Sequence, residues 1–330
     1  RYWRDWSSDV CSSDLGIRAP RLGLGCATFG REITQEEAFR IMDAAVERGI
    51  TLFDTAEAYG GGQAREYRKR HLGVDDEREV SGEMHSSEKI VGRWLRATGM
   101  RSRIVLLTKV TTNFTREHVG EAIAGSLERL QTEYVDLYLY HQFDPNTPVE
   151  EAAEAASAVQ RLGLARAVGC SNYKAPQLRE ALQASAARLL TPFQVIESNY
   201  NLAVRDIEAE LLPLARQESL GVITYSPLGA GFLSGKYGPD RSAFPARSRF
   251  DVIPGHADIY FSERNFALAA KLRDLAERTG IPATQLALNW VLQNPSVDTV
   301  LIGARTLAHL DNAIAAASLP PDSYVEMSAW

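Results

Sequence analysis

The chain has 330 residues, with 36 Lys and Arg against 42 Asp and Glu, for a net charge of −6 at pH 7. A hydrophobic share of 45% is enough to bury a large core, and the acidic balance argues against a nucleic-acid binder, which presents a basic face. No run reaches the roughly 18 apolar residues of a membrane span. Three widely spaced cysteines, Cys11, Cys26 and Cys170, exclude both a disulfide framework and a CxxC site. A cytoplasmic, enzyme-sized protein is expected.

Residues 1–15, RYWRDWSSDVCSSDL, follow neither a strand nor a helix period and lack the apolar stretch of a secretory signal. The string resembles a translated sequencing-adaptor read, so it is set aside as a non-native tail and one domain is expected over 16–330. From Arg21 short β-branched runs alternate with helical patterns. RLGLGC (21–26) reads as a strand and 34–49 as a helix opened by Thr34 and stopped by Gly49. The strand TLFDTA (51–56), the helix 86–99, the strand RIVLLTKV (103–110) and the helix 115–130 follow. Next come the strand YVDLYLYH (134–141) and the helix 150–163. Strands at 165–172, 192–201 and 221–229 are separated by helical patterns near 176–187 and 206–218. Helices near 263–279 and 283–293, the strand VDTVLIGA (297–304) and a helix over 306–317 complete the chain.

Eight strands, each followed by a helix and apolar on both faces, predict a parallel sheet closed into a (β/α)8 TIM barrel, a single α/β domain. An open doubly wound sheet is the alternative. Its dinucleotide form needs GxGxxG after the first strand, and GLGCATFG (23–30) has Thr28 where the third Gly belongs. Two segments exceed ordinary loop length, 59–85 after the second strand and 229–262 after the seventh. Both lie on the face where barrel active sites occur and read as substrate loops or as disordered insertions.

Polar residues at the C-terminal ends of barrel strands point into one mouth. In order these are Asp54, Lys109, His141, Ser171 with Asn172, Gln194, Tyr225 with Ser226, and Gly303 to Arg305. Lys109 closes an apolar strand, where an unpaired ammonium is costly, and Asp54 is its natural partner. Tyr59 starts the long loop just past Asp54. A cation near a tyrosine at about 4 Å lowers its pKa by up to about three units. His141 stands where it can donate to a carbonyl oxygen also held by Tyr59. A plain salt bridge and a structural histidine are the bland readings of the same residues. The six His (71, 85, 118, 141, 256, 309) show no ligand spacing, so no metal is expected.

Asp, Tyr, Lys and His in that order at those strand ends resemble the aldo-keto reductases. DTAEAYG (54–60), LLTKV (106–110) and LYLYHQFDP (137–145) are similar to the family's aspartate-to-tyrosine, lysine and histidine segments. GCSNY (169–173), FQVIESNYN (193–201) and YSPLGAGFLSGKY (225–237) look like its cofactor-side strands, and the resemblance covers about residues 17–318. It implies NADPH-dependent reduction of an aldehyde or ketone by the catalytic set Asp54, Tyr59, Lys109 and His141, with Tyr59 giving the proton. It also implies that Ser171, Asn172 and Gln194 hold the nicotinamide carboxamide and that the ring stacks on Tyr225, with Cys26 and Asp54 adjoining. Ser226, Pro227, Leu228 and Gly229, with Lys236 and Arg249, would clamp the pyrophosphate. Gly303, Arg305, His309 and Asn312 would face the adenosine ribose phosphate, where His309, Asn312 and Ala313 depart from the family's usual residues. The family's N-terminal hairpin, which caps the closed end of the barrel, is replaced here by residues 1–15. Exposing roughly 300 Å² of apolar bottom would cost about 7 kcal/mol, so restoring a hairpin is expected to raise the melting temperature.

A lysine Schiff-base aldolase is disfavoured because Asp54 keeps Lys109 charged. A redox-sensing accessory subunit that binds NADPH and turns over slowly would carry the same residues and is the alternative function. A small-molecule carbonyl substrate is expected, with neither nucleic acid nor membrane as partner.

Overall fold

The computed structural model describes residues 7–9, 16–320 and 326–330. Two short strands, β1 (Ser7–Asp9) and β2 (Arg18–Pro20), pair antiparallel. The remaining strands are β3 (Leu22–Gly25), β4 (Leu52–Asp54), β5 (Val105–Val110) and β6 (Val135–Tyr140), then β7 (Ala165–Ser171), β8 (Val195–Asn199), β9 (Gly221–Tyr225) and β10 (Thr299–Gly303). They pair parallel in sequence order, and β10 closes on β3, giving an eight-stranded barrel wrapped by helices. The expected (β/α)8 TIM barrel is the fold; the open sheet is not.

Local chemistry sets the element ends. Thr34 caps the helix Gln35–Glu47 by accepting from the Glu37 N–H while the Glu37 carboxylate accepts from the Thr34 N–H. The helical pattern expected over 206–218 is a 3-10 turn, Asp206–Glu208, followed by a helix only from Leu211 to Gln217. Pro213 explains the shift, since a proline without an N–H is tolerated only in the first turn.

Strand alternation divides the core in two. Outward residues such as Phe53, Leu106, Tyr138 and Ile196 pack against the helices. Inward residues Leu52, Leu107, Leu137, Leu139, Ala167, Val195, Ile223 and Leu301 fill the barrel. β3 contributes Gly23, where a Cβ would meet Leu301 at 2.7 Å and Leu52 at 2.9 Å, so glycine there leaves the two leucines their space. Ile17 (2% exposed) and Ala19 (1%) join this inner cluster, at the end where the strands begin. The apolar hole expected at the bottom is therefore filled by Ile17 and Ala19, and the antiparallel pair β1–β2 stands where the capping hairpin was expected to be missing. The side chains of residues 1–15 lie outside the described residues.

The two long segments are ordered. Residues 59–85 contain the helix Gly61–Leu72, and 229–262 contain short helices at Arg249–Val252 and Ala257–Tyr260. The second segment has an aromatic core of its own in which Phe250 packs against Tyr237 and Phe261. Arg68 is fully buried and ties the segments together. It pairs with Asp76 and Glu79, and its Nη1 donates to the Val252 carbonyl at 3.1 Å. Within the charged run 65–79 Arg68 is the buried residue, and most of its neighbours in the run are exposed.

Candidate active site

The same alternation that fills the barrel builds the site. Two residues beyond each inward apolar residue stands an inward residue of the mouth: Asp54 after Leu52, Lys109 after Leu107, His141 after Leu139, Glu197 after Val195 and Tyr225 after Ile223. Ser171 joins this layer and is in register with Glu197.

Lys109 is fully buried at its centre. Its Nζ donates to Asp54 and, at 3.2 Å, to the Thr55 carbonyl, and lies 3.3 Å from Glu197 Oε2. Burial disfavours the ammonium, but Asp54, Glu197 and Tyr59 outweigh it and hold Lys109 above the usual lysine range. Tyr59 lies on the loop after β4, its ring centroid 5.1 Å from that nitrogen. Its hydroxyl is 3.5 Å from His141 Nε2, with the two rings edge to face. Burial and then Lys109 lower His141 to about 3, so the imidazole is neutral, and its buried Nδ1 has no hydrogen-bond partner. The expected depression of the Tyr59 pKa does not occur: burial raises it, and the lowering by Lys109 is opposed by Asp54 and Glu197. The cation that was to activate the phenol is already paired with Asp54, with a second carboxyl group, Glu197, beside it.

Around this centre Asn172, at φ 60°, donates to the His141 carbonyl at 2.9 Å and accepts from the Tyr225 hydroxyl at 2.8 Å. Asparagine tolerates this left-handed conformation. Ser171 is buried beside it and accepts from Asn172 Nδ2 at 3.1 Å. After β9, Ser226, Gly229, Ala230 and Gly231 all have positive φ, making a tight loop that also contains Pro227 and Leu228. Asn201 Nδ2 donates to the Ser226 carbonyl and fixes that loop.

Beyond it Arg31, Arg249 and Arg305 gather around one buried acid, Glu32, and Lys236 lies within the field of Arg305. Burial works against the Glu32 carboxylate, yet Arg31, Arg249 and Arg305 hold it below the usual range. Arg31 Nη2 is buried without a partner. Burial and then the neighbouring Arg31, opposed by Glu32, lower Arg249 to about 10. Arg305 donates to the Arg247 carbonyl, and His309 Nδ1 accepts from the Arg305 N–H at 3.1 Å. Gly303 closes β10 at the rim, exposed.

Two expected contacts, Gln194 and Cys26, are not brought to the mouth. Gln194 stands just before β8, one residue out of phase with Val195, so it faces outward at the closed end, and its Oε1 accepts from the Val168 N–H. Glu197 holds the inward place assigned to it. Cys26 packs its thiol among the outward residues, donating to the Leu24 carbonyl, and its own carbonyl is taken by Ser87 and Phe29. Asn312 follows His309 by three residues on the helix Leu307–Ala317, and its Oδ1 accepts from Thr284 on a neighbouring helix. Glu197, Arg31 and Glu32 are the residues that sequence reasoning missed. An acid inside the apolar run FQVIES was the available signal for the first.

Among the described residues no helix is long and apolar enough to cross a membrane. The family model described as the Aldo/keto reductase family matches residues 21–329. The chain is 32% identical over 324 residues to an uncharacterized oxidoreductase, YrpG, of Bacillus subtilis (strain 168), covering 94% of this chain and 91% of that protein. A parallel eight-stranded barrel whose inner layer ends in Asp54, Lys109 and His141, matched along nearly all its length, belongs to the aldo/keto reductase family.

Proposed function

We propose that the protein reduces an aldehyde or ketone to the alcohol in the barrel mouth, with NADPH as reductant and Tyr59 as proton donor. The observation that carries this reading is the pair Tyr59 Oη and His141 Nε2, 3.5 Å apart beside a buried lysine. A carbonyl oxygen accepting from both would meet two positioned donors as negative charge develops on it. His141 is neutral throughout the working range and donates from Nε2, leaving Nδ1 as the acceptor side. Tyr59 gives up its proton, and the charged Lys109 stabilises the phenolate left behind. Asp54 holds Lys109 in place.

The residues present fit a phosphorylated dinucleotide. Three arginines share one carboxylate, a buried guanidinium nitrogen has no partner, and the left-handed run after β9 forms a cradle for phosphate oxygens. Ser226, Pro227, Leu228, Gly229, Lys236 and Arg249 would hold the pyrophosphate, and Gly303, Arg305 and His309 the ribose phosphate. Ser171 and Asn172 would hold the carboxamide, with the ring on Tyr225. When bound, the reduced nicotinamide supplies the hydride. Arg305 favours NADPH over NADH because guanidinium binds phosphate bidentately.

Fluorescence titration with NADPH and NADH, followed by turnover on a panel of small aldehydes and ketones, tests the reading. Tighter binding of NADPH together with turnover is expected. Failure to bind either dinucleotide, or binding with no turnover on any member of the panel, overturns it.

A further inference from the structure

The mouth holds two carboxyl groups for one ammonium, and the chemistry above uses only Asp54. Glu197 is 2% exposed, and its Oε2, 3.3 Å from Lys109 Nζ, accepts no hydrogen bond from any other group. The ionisable groups that face it are Asp54 from β4, Tyr59 from the loop after β4, Lys109 from β5 and Tyr225 from β9. β7 offers only the Ser171 hydroxyl at the same register.

With both acids ionised, this buried cluster of Asp54, Lys109 and Glu197 carries one net negative charge; with one protonated it is neutral. A net charge in a dry interior is costly, so the cluster retains a proton. Asp54 makes the closer contact to Lys109, which leaves the proton on Glu197. We propose that Glu197 is a positioning residue that keeps its proton at neutral pH, and that losing it slows carbonyl reduction by making Tyr59 a poorer donor. The inference rests on the reading of Tyr59 as proton donor.

Burial and the Asp54 charge, opposed by Lys109, push Glu197 up to about 8. Ionised, Glu197 faces the phenol and disfavours the tyrosinate that forms when the Tyr59 O–H bond breaks and the alcohol O–H bond forms. Protonated, it leaves the charge of Lys109 matched by Asp54 alone, and the phenolate is better tolerated. Glu197 is not consumed; it exchanges its proton only with solvent.

Infrared difference spectra of the full chain without dinucleotide test the protonation directly. A carbonyl stretch from a protonated carboxylic acid is expected at neutral pH, disappearing around pH 8. It is absent in Glu197→Gln, and Asp54→Asn moves its midpoint down by about one pH unit or more, because the like charge is gone. In steady-state reduction, kcat of the wild type falls on the order of tenfold through the same midpoint, while Glu197→Gln shows no such limb. Absence of the band in the wild type, or an unchanged alkaline limb in Glu197→Gln, overturns the proposal. The infrared result stands apart from turnover, so an inactive protein that shows the band sinks only the reductase reading.

Discussion

Tyr59 and His141 reach the same point by different routes. His141 follows β6 and is held by its N–H to the Val110 carbonyl, whereas Tyr59 is placed by a turn in which its N–H binds the Ala56 carbonyl and its own carbonyl accepts from the Ser87 N–H. Tyr59→Phe keeps that turn and the ring packing but removes the donated proton. Reduction is expected to fall about 10²- to 10⁴-fold with NADPH affinity changed by no more than about threefold, read by kcat and fluorescence titration. The histidines carry a second prediction. Burial lowers both His141 and His256 to about 3. Unfolded histidines bind protons below about 6.5 and these two do not, so stability is complete above that pH and is lost as pH falls from about 6.5 to 3. Each contributes a slope of up to about 1.4 kcal/mol per pH unit, and denaturant midpoints across that range should fall with acidification. Residues at strand ends were legible in the sequence because an acid, a lysine and a histidine are each conspicuous after an apolar run. Gln194 was misplaced because strand parity, not residue type, decides which side chain enters the barrel. Parity is readable only once the inward leucines and valines are known, and a slip of one residue exchanges Gln194 for the outer face.

At the scale of elements, helix caps and turn glycines marked the boundaries, as Thr34 and Gly49 show, whereas Pro213 shortened one helix and the strands expected over 192–201 and 221–229 are only Val195–Asn199 and Gly221–Tyr225. The long segments were visible as lengths without conformations, because what orders them is mutual. Arg68 is polar and sits in a charged run, so nothing local signals that it is fully buried against Glu79 and the Val252 carbonyl. Arg68→Met is expected to cost about 3–5 kcal/mol, since it leaves the Glu79 carboxylate buried without its cation. Limited proteolysis should then cut within 73–85, with the barrel fragments intact. Gly61, at the start of the same helix, has no room for a side chain: a Cβ would lie 1.7 Å from the Ser81 carbonyl oxygen. Gly61→Ala should open the same cleavage sites.

Across the whole molecule, closure of the barrel followed from counting eight strand–helix units, since parallel strands with both faces apolar must be covered on both. The bottom was less legible. Ile17 and Ala19 lie beside a string with no usable pattern, and only the closed barrel shows that they complete its inner layer. Ile17→Ala is expected to cost about 2–5 kcal/mol, the range for removing a large aliphatic group from a close-packed core, and to lower the thermal midpoint without changing dinucleotide affinity. A midpoint equal to that of the parent would show that the bottom is closed by other means.

The bridge between the two long segments has a consequence for how such a barrel can diversify. β4 and β9 are separated by β3 and β10, and the segments that follow them meet over that gap: Arg68 reaches the Val252 carbonyl, Arg78 reaches Asp251, and the Val80 N–H binds the Arg31 carbonyl on the way. A chimera that takes one segment from a relative and keeps the other would strand charges on both sides of the seam. The two insertions therefore form a single exchangeable part, and any engineered graft onto this scaffold has to carry them together.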